Sequence, residues 1–175
     1  MMYITGRVAL GVPCERESKG LWNVRRADFL DETNMKLHDS QESPFKDYGI
    51  ERNKMIHYHE FCTYNVADHV RAYVDMLYAG KFDEMKGLFA EAIDNAKCRV
   101  DIFMLVYGKL RHLAEFKQID EFMTEEFASA WISYKDSVRA SAEHIEKHQE
   151  EMLNLEAIQS RLGSNGLPLE EFLKV

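Results

Sequence analysis

The feature that most constrains the fold is a heptad repeat in the last third of the chain. Its eight positions follow one another at alternating steps of three and four residues; they are Trp131, Tyr134, Val138, Ser141, Ile145, His148, Met152 and Leu155. This spacing is typical of a helix that packs along its length against another helix. A helix over residues 131–162 would be about 48 Å long. The partner of this heptad seam is either the rest of the chain or a second copy, as in a homodimer.

The sequence before the seam also predicts helices. In residues 65–80, four apolar residues recur at helical spacing: Val70, Tyr73, Val74 and Leu77. Asn65 is a favourable N-cap, and Asp68 follows three residues later, close to the spacing of a capping box. Gly80 is placed to end this helix. We therefore predict a helix that is capped by Asn65 and stops at Gly80.

Three further helices are predicted over residues 82–93, 97–116 and 117–127. The segment VDIFMLV in the second of them is apolar almost all round. A helix without a polar face is expected in the centre of a fold. The pattern therefore predicts that the helix over residues 97–116 is the most buried one.

The first third of the chain has a different character. The stretch YITGRVALGV (3–12) is rich in β-forming residues and predicts a strand, with LWNV (21–24) as its partner in a short hairpin. Residues 31–64 follow neither a helical nor a strand period and predict a long ordered loop. The expected fold class is mainly α: a short N-terminal β-hairpin and a long loop (1–64), then a helical bundle with a long C-terminal helix (65–175), in one compact domain.

The charge of the chain is unevenly distributed. The net charge is -8, of which residues 114–175 carry -7, from 13 acidic and 6 basic residues. Such a surface repels nucleic acid, so direct nucleic-acid binding is not expected. It suits a basic protein surface that normally holds DNA or RNA, with a solvated helix face as the simpler interpretation. The candidate contact residues on the long helix are Glu143, Glu146, Glu150 and Glu151.

Histidines form a second candidate site. His57 and His59 lie close to His69 in the sequence, with Glu60 and Asp68 beside them. A metal site needs three or four such ligands, so this cluster makes a small metal-dependent hydrolase or nuclease the alternative function. The other interpretation is a loop that leads into a capped helix, with the histidines serving packing and hydrogen bonds. We favour the latter and expect no metal.

Other chemical signatures are weak. His144 and His148 lie four residues apart on one helix face, but the intervening Glu146 is misplaced for a zinc protease, and His148 falls on the seam, where a polar residue can fix register. Cys14, Cys62 and Cys98 form no CxxC pair, and the role of Cys14 stays open. No cofactor motif, secretory leader or apolar span is present, so a cytoplasmic protein without a cofactor or membrane contact is expected.

Four segments carry a resemblance to known sequences: ALGVPC (9–14), GLW (20–22), SPFKDYGIE (43–51) and NVADHVRAY (65–73). They resemble a group of small bacterial proteins, associated with mobile elements and defence-related gene neighbourhoods, whose pattern is close to ALNIPC, GDWH, SxFGDYGIE and NVANHxRA. The chain departs from that pattern at Leu21 and Asn23, where the group has Asp and His. The group has no established activity, so the resemblance implies no catalytic residues.

The resemblance implies where a specific interaction would occur. The residues concerned lie where the loop meets a helix N-terminus; they are Asp47, Tyr48, Asn65, His69 and Arg71. The simpler interpretation is that DYGIE anchors the loop to the helix. Together with the acidic helix, these features predict a non-enzymatic inhibitor or neutraliser of a nucleic-acid-handling enzyme, similar to an anti-CRISPR protein or an antitoxin.

Overall fold

The structure is a computed structural model, and it describes residues 1–21, 36–56 and 63–164 of the chain. The chain divides into two compact units, an N-terminal unit, Met1–Trp131, and a C-terminal unit, Ile132–Val175. Among the helices in the described ranges, none has the length and apolar character that a membrane span requires.

The described residues are mainly helical, which confirms the predicted fold class. The α-helices are α1 (Gly6–Leu10), α2 (His69–Tyr78), α3 (Phe82–Met85), α4 (Ala96–Leu105), α5 (Phe116–Phe127) and α6 (Ser129–Ser164). Two π-helical turns, Phe89–Ile93 and Val106–Leu110, and a 3-10 turn, Ser40–Glu42, lie between them. The predicted long helix and the predicted helix over residues 117–127 are therefore confirmed.

Two small antiparallel sheets complete the N-terminal unit. β1 (Met2–Tyr3) pairs with β2 (His38–Asp39), and β3 (Ile50–Met55) pairs with β4 (Thr63–Ala67). Ile4 connects the two sheets, because its N–H donates to the Asn65 carbonyl and its own carbonyl accepts from the Ala67 N–H, both at 2.9 Å. The first residues of the chain are thereby held against β4, directly before α2 begins.

The prediction of a strand over residues 3–12 was wrong beyond Tyr3. Gly6 has a φ of +71° and turns the chain, and Gly6–Leu10 forms α1, which packs on α2 with Val8, Ala9 and Leu10 buried. Tertiary burial outweighs the β-propensity of this segment. The strand β1 pairs with β2 and not with residues 21–24; Leu21 is not in a strand, and residues 22–24 lie outside the described part of the chain.

Helix α2 is the centre of the N-terminal unit. Its nine residues from His69 to Leu77 are all buried. Asp68, and not Asn65, is its N-cap: the Asp68 carboxylate accepts a hydrogen bond from the Arg71 N–H at 2.7 Å. Asn65 lies in β4, where its side-chain amide donates to the Met2 carbonyl at 3.0 Å. The predicted cap was therefore wrong. Asn65 lies three residues before the actual cap, and its side chain holds the first strand instead.

The prediction that the helix over residues 97–116 is the most buried one was also wrong. Helix α4 ends at Leu105, and its exposed residues include Val100 and Met104. Its inner face contributes Phe103 to an aromatic cluster with Phe127 and Trp131, whose ring centroids lie 5.0 and 5.2 Å from that of Phe103. This cluster holds the first turn of α6 to the N-terminal unit.

Candidate functional site

The start of α2 is the place where polar residues from distant parts of the chain meet. The Asp68 N–H donates to the Gly49 carbonyl at 2.7 Å. One residue later, the Nε2 of His69 lies 2.9 Å from the Val12 carbonyl oxygen. Three of the segments that carry the resemblance, residues 9–14, 43–51 and 65–73, are therefore in direct contact, although they are far apart in the sequence.

Arg71 is a structural anchor inside this site. Its side chain is fully buried. Its Nε donates to Asp75 at 2.9 Å, one terminal nitrogen donates to the carbonyls of Lys46 and Tyr48 at 2.6 and 2.7 Å, and the other donates to the hydroxyl of Tyr3 at 2.7 Å. Almost all of the donors of the guanidinium are thus used within the fold. Arg71 therefore anchors the DYGIE segment to α2. This agrees with the simpler interpretation of the sequence, in which DYGIE anchors the loop to the helix.

Asp75 is the acidic partner of this anchor. Besides the bond from Arg71, its carboxylate accepts hydrogen bonds from the hydroxyls of Tyr3 at 2.7 Å and Thr5 at 2.8 Å. Burial raises the pKa of Tyr3 well above its ordinary value, and the negative charge of Asp75 adds to this effect. The pair is compensated by these hydrogen bonds, which a buried ion pair requires. Its role is to hold β1, the loop and α2 in one arrangement.

A cavity of about 610 Å³ lies beside Asp75. Tyr3, Thr5 and Ser43 line it together with charged residues of both signs, which are Arg7, Lys36, Asp39, Glu42, Asp75, Lys81 and Glu84. Because the buried polar atoms of Tyr3 and Asp75 already bond to one another, the cavity wall offers no unsatisfied group of theirs to a ligand.

A second charged residue, Arg16, connects the loop over residues 11–21 to the same helix start. Its Nε donates to the Asp68 carboxylate at 2.6 Å, a terminal nitrogen donates to Asp101 at 2.5 Å, and the other donates to the Tyr48 hydroxyl at 3.1 Å. Asp68 thus caps α2 with one oxygen and binds Arg16 with the other. The sequence analysis missed Arg16 and Asp101, because neither belongs to a local motif; only the fold brings them together.

Cys14 lies in this fixed loop, close to His69. Its sulfur is 3.5 Å from the Ser18 hydroxyl oxygen, which is in turn 2.8 Å from the Nδ1 of His69. Because a carbonyl oxygen only accepts, the Nε2 of His69 carries a proton and donates it to Val12. The Nδ1 therefore faces Ser18 and Cys14. Ser18 was not a predicted site residue, and 51 positions separate it from His69 in the sequence.

The thiol and the imidazole shift each other's protonation. Burial of Cys14 opposes its ionisation, but hydrogen bonds with His69 and Ser18 outweigh burial, and the pKa of Cys14 is lowered from its ordinary value. Burial of His69 likewise opposes its protonation, but hydrogen bonding to Cys14 and to the Val12 carbonyl raises the pKa of His69. The Cys14 thiol is therefore more acidic, and the His69 imidazole more basic, than the free groups.

The structure divides the predicted binding residues into four groups. His69 and Arg71 are buried and bonded within the fold, whereas Asp47 and Tyr48 are exposed beside them. Asp47 accepts a hydrogen bond from Ser40. Asn65 is half-buried in β4. The remaining predicted residues, Glu143, Glu146, Glu150 and Glu151, belong to the C-terminal unit and are all exposed.

The predicted metal cluster cannot be placed as a whole. His57, His59 and Glu60 lie outside the described residues. Within residues 1–21, 36–56 and 63–164, no group of three or more His, Cys, Asp or Glu side chains is arranged to hold a metal ion. Of the predicted ligands, His69 is described, and both of its ring nitrogens already have hydrogen-bond partners.

Three of the exposed glutamates of α6 lie on one side of the helix. At about 100° per residue, Glu143, Glu146 and Glu150 lie along one side, which we call the acidic ridge. The heptad seam lies on the opposite side, where Ile145, Met152 and Leu155 are 56%, 47% and 53% exposed. Glu151 lies between these two faces. Within its described residues, the C-terminal unit therefore presents charge on one side and exposed apolar side chains on the other.

Comparison of the chain with protein-family models, with curated proteins and with solved structures found no match. A function therefore has to be argued from the geometry and the chemistry of the chain's own residues.

Proposed function

We propose that the protein is a non-enzymatic interaction protein that inhibits or neutralises a nucleic-acid-handling enzyme by binding a basic surface of that enzyme with the acidic ridge. The observation that carries the proposal is the exposure of Glu143, Glu146 and Glu150 along one side of α6. In the manner of anti-CRISPR proteins and antitoxins, the helix would occupy a surface that otherwise holds nucleic acid.

The charge of the ridge supports this choice of partner. Residues 143–151 carry four glutamates and a single lysine, which leaves a net charge of -3. A partner that binds DNA or RNA neutralises phosphates with lysine and arginine, so its binding surface is complementary to a row of carboxylates. Complementary charge accelerates association and disfavours partners of the wrong sign.

Two of the residues predicted to contact a partner serve the fold of the N-terminal unit, which leaves the acidic ridge as the proposed contact surface. The polar groups expected to contact a ligand, His69 and Arg71, make their hydrogen bonds inside the fold. Most of the hydrogen-bonding groups of these two side chains are therefore used within the fold. In this proposal the N-terminal unit is a stable body that carries the start of α6 through Trp131.

We further propose that the heptad seam binds the same seam of a second copy of the chain. The exposed Ile145, Met152 and Leu155 repeat at heptad spacing, and burying such a row against an identical helix removes apolar surface from water. Because the ridge lies on the opposite side of α6, a pair of chains would keep both ridges accessible. Two ridges on one particle would increase the avidity for a repetitive or dimeric partner.

The test reverses the charge of the ridge in the full chain. The triple variant Glu143→Lys, Glu146→Lys and Glu150→Lys is compared with a control that has the same change of charge at exposed positions of the N-terminal unit, Asp83→Lys, Glu121→Lys and Glu125→Lys. Tagged proteins are used to capture partners from a lysate of the source cells, with and without a competing double-stranded oligonucleotide.

The proposal requires a defined set of results. The wild-type and control proteins should capture the same nucleic-acid-binding protein, added oligonucleotide should release it, and the ridge variant should lose it. Higher salt should weaken the capture, because ions screen exposed charges. Equal capture by the ridge variant, or capture that is insensitive to oligonucleotide, would refute the proposed role of the ridge.

A further inference from the structure

The cluster of Cys14, Ser18 and His69 is not explained by the proposed function. It lies in the N-terminal unit and is independent of the acidic ridge. The Ser18 hydroxyl bridges the two titratable groups, 3.5 Å from the Cys14 sulfur and 2.8 Å from the Nδ1 of His69. The bond from Nε2 to the Val12 carbonyl, at 2.9 Å, fixes the ring so that Nδ1 faces the serine and the thiol. A nucleophile, a hydroxyl and an oriented imidazole are thus assembled in one place.

The loop that carries Cys14 is held from several sides. The side chain of Arg16 binds Asp68 and Asp101, which belong to the start of α2 and to α4. The side-chain amide of Asn95 donates to the Glu17 carbonyl at 2.6 Å, and the Gly20 N–H donates to the Ala92 carbonyl at 2.7 Å. These bonds position the loop before any reagent arrives, which is what a functional group needs for a defined reaction geometry.

Access and environment distinguish Cys14 from the other described cysteine. Cys14 is half-buried and so keeps contact with solvent, whereas Cys98 is buried in α4. The pKa of Cys98 is raised by burial, and the pKa of Cys14 is lowered by its hydrogen bonds with His69 and Ser18 in spite of burial. Reactive cysteines combine partial exposure with a neighbouring cation or donor, and buried structural ones are inert.

We propose that Cys14 is a reactive thiolate site that exchanges with low-molecular-weight disulfides of the glutathione type. In this thiol–disulfide exchange, the Cys14 sulfur attacks one sulfur of the disulfide. A new S–S bond forms, and the old S–S bond breaks. The departing thiolate takes up a proton, which His69 can supply. The protein is left with a mixed disulfide at Cys14, and one free thiol is released, so the disulfide is the oxidant and no other reactant is needed.

The reaction has a consequence for His69. A mixed disulfide carries no negative charge at the Cys14 sulfur, so the partner that favours the protonated imidazole is lost. The pKa of His69 should then fall, because burial of the ring remains and opposes protonation. The ring of His69 is therefore an independent reporter of the state of Cys14.

The experiment uses the wild-type chain and oxidised glutathione. The folded protein is incubated with oxidised glutathione at a series of pH values, the reaction is quenched with acid, and mapping of peptides by mass spectrometry gives the modified fraction of each cysteine. We expect Cys14 to be modified faster than Cys98. The rate at Cys14 should reach half of its maximum below about pH 8.5, which is the ordinary pKa of a free cysteine thiol. A half-maximum at or above that pH, or no modification of Cys14, overturns the proposal.

A second variant tests whether the cluster causes the reactivity. Ser18→Ala removes the hydroxyl that lies 3.5 Å from the Cys14 sulfur without adding volume. We expect its pH profile to move upward and its rate at neutral pH to fall about threefold. In parallel, NMR titration should show the pKa of His69 falling when Cys14 is modified. An unchanged profile in the Ser18 variant together with an unchanged His69 titration overturns the assignment of the reactivity to this cluster.

Discussion

Gly49 is the residue at which the DYGIE segment comes closest to α2. It has a φ of +67°, and a Cβ at this position would lie 2.8 Å from the Cβ of Arg71 and 3.1 Å from the Asp68 carboxylate. Alanine therefore meets two obstacles, the left-handed backbone and a clash with the helix. We expect Gly49→Ala to lower the free energy of unfolding by about 2–4 kcal/mol, measured by chemical denaturation.

Gly80 provides a matched control for this substitution. Its φ is +69°, almost the same as that of Gly49, but no atom lies within 4 Å of the position of its Cβ. Gly80→Ala should therefore lower the free energy of unfolding by the backbone contribution alone, about 1–2 kcal/mol. Equal losses for the two variants would mean that the loop moves away from α2 without an energetic cost, contrary to the packing at Arg71 and Asp68.

His69 and Cys14 give the N-terminal unit two pH dependences of opposite sign. Because the folded-state pKa of His69 is raised, its stabilising contribution is present below the unfolded value of about 6.5 and is lost as pH rises through the folded pKa. Because the pKa of Cys14 is lowered, its contribution is present above the unfolded value of about 8.5 and is lost as pH falls through the folded pKa. Because the two contributions change in opposite directions with pH, overall stability is a poor measure of the pair.

A site-specific titration measures the pair directly. Replacing the thiol by a hydroxyl in Cys14→Ser removes a group that can ionise near neutral pH, and we expect the pKa of His69 to fall as a result. The readout is the NMR titration of the His69 ring, and Cys98→Ala is the control, because Cys98 makes none of the hydrogen bonds that fix His69. If His69 titrates at the same pH in the Cys14 variant, the two groups are not coupled.

At the scale of elements, Trp131 anchors the first turn of α6, which lies within the N-terminal unit. Its side chain is fully buried, its indole N–H donates to Asp120 at 2.7 Å, and its ring packs edge-on against Phe103 and Tyr107. We expect Trp131→Ala to cost about 3–5 kcal/mol of stability, seen in thermal and chemical unfolding. The neighbouring Ile132→Ala should cost less than about 1 kcal/mol, because Ile132 is 46% exposed. Similar losses at both positions would contradict this junction.

The elements also show which parts of the fold the sequence can predict. Helices α5 and α6 follow from local periodicity, since their apolar residues recur at the helical period without reference to the rest of the chain. Gly6–Leu10 could not be predicted, because its β-forming residues become helical where they pack on α2. Asn65 failed as a cap for the same kind of reason: its side chain is bonded to a strand more than 60 residues earlier.

The candidate site shows the same division. The segments at residues 43–51 and 65–73 were recognisable as a place where a loop meets a helix, and Arg71 does connect them. The pairing of Cys14 with His69 and the bonds from Arg16 to Asp68 and Asp101 join residues that are distant in the sequence. No spacing rule links such residues, so these contacts require the folded structure.

At the scale of the whole molecule, the proposed contact with a second copy and the proposed contact with a partner would use opposite faces of α6. The seam carries exposed Ile145 and Met152, while Leu153, 66% exposed, and Ile132 lie away from it. We expect sedimentation equilibrium of the wild-type protein to show a concentration-dependent dimer, because pairing two seams buries apolar surface. The double variant Ile145→Ser and Met152→Ser should weaken this dimer at least tenfold, whereas Ile132→Ser and Leu153→Ser, with the same loss of apolar side chains, should leave it intact. The seam would be excluded as the contact between copies if the wild-type protein remained monomeric at all concentrations, or if the two double variants had equal effects. Either result would leave the acidic ridge untouched, because the charge-reversal experiment tests the ridge separately.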